Sequence, residues 1–193
     1  MPSRPVHAAT AVMILALSTY AAADSWAPAE VMVATSPNGE IILRVIPGGR
    51  HGPVGALKGN RTAEGKWFRF RDNRYELYQT AQLVNPVAPI SVVVGNDGAA
   101  ATLDNWAGVG HGDVVAIYDP TGKVRKKYRL GDLYSSSAIA KMRHSVTSIW
   151  WRCRTTINPR GELELHDSIG GRFTFSLQTG EFNYQPDAGV CKP

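Results

Sequence analysis

Only two cysteines, no apolar run of membrane-spanning length and almost no helical periodicity occur in this sequence of 193 residues. Each lack closes off a class of protein. Two cysteines are too few for a disulfide-dense scaffold, and Cys153 and Cys191 do not have the C-x-x-C spacing of zinc or redox motifs. No G-x-S-x-G elbow occurs, so Ser145 and Ser148 beside His144 read as strand residues rather than nucleophiles. Gly108, Gly110 and Gly112 precede a strand, where dinucleotide binding needs a helix N-terminus, and no cofactor is expected.

What is present begins with an address. Arg4 and His7 precede an apolar stretch from Ala8 to Leu17, followed by Ser18-Thr19-Tyr20 and Ala21-Ala22-Ala23. A charged start, a short apolar segment and small residues at a cleavage site make a signal peptide over residues 1–23. The apolar segment is about ten residues, where a spanning helix needs about 20. The expected mature chain, 24–193, therefore has no transmembrane segment and reads as one domain in the periplasm or outside the cell. Removing Arg4 with the leader lowers the net charge from +5 to +4, a mild basicity that decides no partner. In an oxidising compartment Cys153 and Cys191 are expected to pair, closing a loop of about 39 residues worth roughly 4 kcal/mol of unfolded-state restriction.

Along the mature chain, short runs rich in Val, Ile, Tyr, Phe, Trp and Thr alternate with turn dipeptides: Asn38-Gly39, Asp72-Asn73, Asp97-Gly98, Thr121-Gly122, Arg160-Gly161 and Thr179-Gly180. These are hairpin signals. A helix of at most two turns is expected over Ser136 to Met142. The turns repeat: Asn38 and Asp97 are 59 residues apart, Asp97 and Arg160 are 63, and each hairpin is followed by a second. Three four-stranded antiparallel units over about 31–83, 90–133 and 146–184 result, with Val146 to Trp151 opening the third. Ser36-Pro37-Asn38-Gly39-Glu40 before Ile41-Ile42-Leu43, echoed by Asn158-Pro159-Arg160-Gly161-Glu162, resembles the S-P-D-G turn of WD40-like propeller repeats. The resemblance implies propeller blades. The stretch Asp104-Asn105-Trp106 through Val114 to Asp119 and on to Leu133 also resembles exported bacterial proteins of unassigned function.

The expected fold is all-β, built of antiparallel four-stranded propeller-like units. Three units fall short of the about four to eight blades of ordinary propellers, so closure of the ring stays open, and a two-sheet β-sandwich is the alternative. Val114 to Tyr118, apolar throughout, is expected to be covered on both faces.

Four features bear on function. Lys123, Arg125, Lys127 and Arg129 share one face of a strand by the period of two. They could engage an anionic envelope polymer, or they protect a sheet edge from self-association. The exported address argues against intracellular nucleic acid as a partner. Asp104, His111 and Asp113, in a glycine-rich loop with Trp106, supply oxygen and imidazole groups for a divalent metal that could activate water. The alternative is a structural hairpin loop with Trp106 packed beneath it. Trp150 and Trp151 are adjacent on a strand and must point to opposite faces, so one is expected to be exposed. Glu162 and Glu164 share a strand face that is expected to be solvated. The leading expectation is a non-catalytic binding or interaction module of the cell envelope, engaging such a polymer or another envelope protein; the alternative is a metal-assisted hydrolase using the Asp104, His111 and Asp113 loop.

Overall fold

A computed structural model of the chain describes residues 26–49, 61–186 and 189. The expected signal peptide and Cys191 lie outside the described residues. In order these form β1 (Met32–Thr35), β2 (Ile41–Ile46), β3 (Glu64–Arg71), β4 (Arg74–Gln82), β5 (Pro89–Val94), β6 (Ala100–Asn105), β7 (Asp113–Tyr118), β8 (Val124–Arg129), α1 (Leu130–Leu133), α2 (Ser136–Ile139), β9 (Arg143–His144), β10 (Ile149–Trp150), β11 (Arg152–Ile157), β12 (Leu163–Asp167), β13 (Arg172–Phe175) and β14 (Phe182–Gln185). Twelve strands make three four-stranded antiparallel sheets, β1 to β4, β5 to β8 and β11 to β14, each in chain order. β9 and β10 form a separate two-stranded ladder.

One turn device recurs. The amide nitrogens of Gly39, Gly98, Gly122 and Gly161 donate to the carbonyls of Ser36, Gly95, Asp119 and Asn158, three residues back. Side chains lock these turns: Asn158 Oδ1 accepts from the amides of Arg160 and Glu162, and Asp119 Oδ1 from the amides of Thr121 and Lys123 and the Thr121 hydroxyl. The hydroxyl is the main reason that the Asp119 carboxyl is held below its ordinary range. Glycine is needed at the closing position because φ is about +76° at Gly39 and +77° at Gly161, where a Cβ is strained.

The sheets stack face to face. Ile41, Leu43, Val45 and Trp67 of the first meet Val94, Ala100, Ala116 and Tyr118 of the second. Ala101, Leu103, Val115, Ile117 and Tyr128, on the other face of the second, meet Leu163, Leu165, Phe173 and Phe175 of the third. The middle sheet is thus covered on both sides, which is why β7 is apolar at every position after Asp113. The sandwich alternative does not hold, because there are three layers. No ring closes among the described residues: the first and third sheets each keep one free face.

The third unit departs from expectation. Val146 to Trp151 does not supply its first strand. Ile149 and Trp150 pair with His144 and Arg143, and the sheet begins one residue past Trp151. Burial of Trp151 is the physical reason: the chain turns its indole inward and only then enters β11. Trp150 is 42% exposed and Trp151 fully buried, so the pair does split between faces.

Candidate functional site

The glycine-rich loop joins β6 to β7, and its acidic groups are already engaged. Asp104 is fully buried at the end of β6 with φ of 57°. Its Oδ1 accepts from the Trp151 indole at 2.7 Å and the Gly110 amide at 2.9 Å, and its Oδ2 accepts from Arg152 Nε at 2.7 Å. Gly110 comes this close only because it has no side chain, since a Cβ there would lie 2.7 Å from Ile149. Asn105 Nδ2 donates to the carbonyl of His111, and Asn85 Nδ2 donates to the Asp104 carbonyl and to Asn105 Oδ1. Asp113 pairs with Lys127 at 2.8 Å, and His111 is exposed.

The metal expectation is therefore corrected. Asp104, His111 and Asp113 do not converge, and among the described residues no three His, Cys, Asp or Glu side chains are grouped to hold an ion. Both oxygens of Asp104 serve protein donors. The structural reading of the loop is the better one, with Asp104 and Asn105 organising it. Trp106 is half-buried and packs edge-on against Trp26, ring centroids 5.4 Å apart.

The basic residues are not one row. Tyr118 pairs with Val124 and Ile117 with Lys126, so a bulge at Arg125 breaks the alternation. Lys127 then lies opposite Ala116, on the side of the first sheet, while Lys126 reaches Glu181, in the turn that precedes β14, at 3.5 Å. Lys123, Arg125, Lys127 and Arg129 are all exposed. β8 is an edge strand, the position that edge protection requires. Cys153 also occupies a bulge, between Arg152 and Arg154, with Sγ 3.5 Å from the carbonyl oxygens of His166 and Asp167.

Two features were not anticipated. A groove of about 330 Å³ lies where the first strands of the three sheets approach, lined by Ala34, Thr35, Val92, Val94, Thr156 and Ile157 among others. No acid or base lines it. The second is the free face of the first sheet. Cross-strand register places Thr35, Ile42, Phe68 and Leu77 in one row, and Phe70 beside Tyr75 in the next. Val33 is 60% and Leu77 51% exposed, and Phe70 and Tyr75 are both exposed, their rings 5.2 Å apart. The signal was in the sequence: Ile41-Ile42-Leu43 and Trp67-Phe68 are apolar at both parities of a strand, so both faces of the sheet are apolar there.

No family model matches the chain, and no curated protein matches it either. Among solved structures, HIRA(644-1017) aligns with it at a TM-score of 0.40 and 12% identity, covering 82% of this chain and 54% of that one. The chain thus spans about half the length of that structure.

Proposed function

We propose that the chain is an exported, non-catalytic interaction module of the cell envelope, and that its contact surface for another protein is the free face of the first sheet. The observation that carries the reading is the apolar row Ile42, Phe68, Leu77 with Phe70, Tyr75 and Val33 on a face that no other sheet among the described residues covers. A contiguous exposed apolar patch on a soluble domain marks an interaction site. The absence of acid or base groups from the groove, and the engagement of Asp104 by Trp151, Arg152 and Gly110, support binding over hydrolysis. Lys123, Arg125, Lys127 and Arg129 are assigned to protection of the β8 edge. Export fits a bond between Cys153 and Cys191, and denatured, unreduced protein from its native compartment should then show no titratable thiol.

Site-specific photo-crosslinking in the source cell tests the contact surface. A photoreactive residue replacing Leu77 should yield a protein adduct, and one replacing Thr174, on the free face of the third sheet, should not. No adduct at either position, or adducts at Thr174 alone, would overturn the reading.

A further inference from the structure

The free face of the first sheet is complementary to itself. By strand alternation Glu40, Ile42 and Arg44 point the same way along β2, and the neighbouring positions on β3 are Phe70, Phe68 and Lys66. A two-fold axis running across the strands through Ile42, Phe68 and Leu77 keeps each strand opposite its own copy and reverses its direction. Ile42, Phe68 and Leu77 then meet themselves. Glu40 of one copy faces the partner's Arg44, and Phe70 faces the partner's Lys66, an arrangement suited to a cation over an aromatic ring.

The other end of the molecule cannot supply this contact. The free face of the third sheet carries Glu164, paired with His166 at 3.2 Å and Arg172 at 3.6 Å, together with Thr156, Thr174 and Asn183. Head-to-tail stacking would press that charge against Ile42, Phe68 and Leu77 and desolvate it without new partners. Self-association is therefore restricted to first sheet on first sheet, which stops at two copies.

We propose that the partner of this face is a second copy of the chain, in an isologous dimer. The inference rests on the reading of the face as a protein contact surface. Area sets its strength. Four strands about 4.8 Å apart and six residues long at about 3.3 Å per residue measure roughly 380 Å² in plan. Two such faces together, about 760 Å² in plan, fall below the lower end of specific interfaces, about 1,200 Å². The dimer is accordingly reversible and concentration-dependent.

Sedimentation of the mature protein over a wide concentration range tests this. A reversible monomer–dimer equilibrium is expected, lost in Leu77→Glu and retained in Thr174→Glu. The register has a sharper test. Glu40→Arg alone and Arg44→Glu alone each weaken the dimer at least several-fold, and the two together in one chain restore it, because residue 40 of each copy faces residue 44 of the other. All four positions are exposed or half-buried, and circular dichroism confirms that each variant folds. Monomer at every concentration, or a dimer indifferent to Leu77→Glu, overturns the proposal. A dimer lost with Leu77→Glu but not restored by the double reversal overturns the stated register. If the protein is monomeric while Leu77 crosslinks to a different protein, the interaction surface stands and the second copy is not its partner. If neither dimer nor adduct is found, both readings fail.

Discussion

On the free face of the third sheet, the middle cross-strand row is Thr156, Glu164, Thr174 and Asn183; on the free face of the first, it is Thr35, Ile42, Phe68 and Leu77. Both sheets are four-stranded antiparallel meanders, and both turn an apolar face inward on the middle sheet. Each sheet carries one bulge, between Trp67 and Phe68 in the first sheet and between Arg152 and Arg154 in the third. The outward side chains alone separate an end made to meet water from an end made to meet a surface.

The inward sides differ as well. The third sheet is joined to the middle one by apolar packing and by a buried polar lock, Asp104 with Trp151 and Arg152. The first is joined by packing around fully buried Trp67, whose indole nitrogen donates to the Gly98 carbonyl at 3.0 Å. A charged lock fixes one orientation, since its partners are satisfied in no other, whereas packing tolerates small slides.

The largest effect expected from breaking that contrast is at Asp104. Asp104→Asn leaves the guanidinium of Arg152, only 12% exposed, without its counter-charge, a loss of about 3–5 kcal/mol for a broken buried pair. Urea unfolding measures it, and a loss below about 1 kcal/mol would show that packing alone holds the third sheet. On the other side, Trp67→Phe removes one hydrogen bond and part of a core side chain, for about 1–3 kcal/mol. If Trp67→Phe cost more than Asp104→Asn, the order of the two interfaces would have to be reversed.

A third contrast appears only in alkali. Tyr134 donates to Asp167 Oδ2 at 3.0 Å, and burial first, then the Asp167 charge, raise its phenol pKa well above the ordinary value. Unfolded tyrosine ionises near about pH 10, so the folded chain holds more protons above that pH. The stabilisation is full below about pH 10 and is lost as pH rises beyond it. Tyr134→Phe should flatten that loss without abolishing it, because burial also raises Tyr118 in the middle sheet. An unchanged alkaline slope between the variant and the parent protein would count against the Asp167 site as its source.

Much of the layering was legible in the sequence. The turn dipeptides mark hairpins because the residue after Asn38, Asp97, Thr121, Arg160 and Thr179 is a glycine with φ above 70°. They give three four-stranded sheets, and the unbroken apolar run in β7 places the middle one. The bulge at Arg125 was not legible, since a period of two carries no sign of an extra residue and the four cations read as one face. The metal reading of Asp104 failed for a related reason. Trp151 and Arg152 lie 47 and 48 residues away, and nothing local announces a partner at that distance. The free apolar face was legible in part, as doubled apolar positions in β2 and β3, but a sequence cannot say whether the second face is covered.

The smallest effect on stability comes from the substitution that tests the comparison most directly. Thr174→Leu with Asn183→Leu extends an apolar row onto the free face of the third sheet and touches none of the ion pairs of Glu164, so the stability change should stay within about 0.5 kcal/mol. Assembly should change far more. With one sticky face, contact between first sheets ends at two copies, since each dimer presents only charged third-sheet faces outward. With two sticky faces every dimer can add another copy at each end, and a contact that does not close grows without limit. Light scattering of the double variant should therefore rise with concentration beyond the dimer, and adding Leu77→Glu should return it to species no larger than a dimer. If the double variant scatters like the parent chain, the polar third-sheet face is not what limits assembly, and the difference between the two ends has another cause.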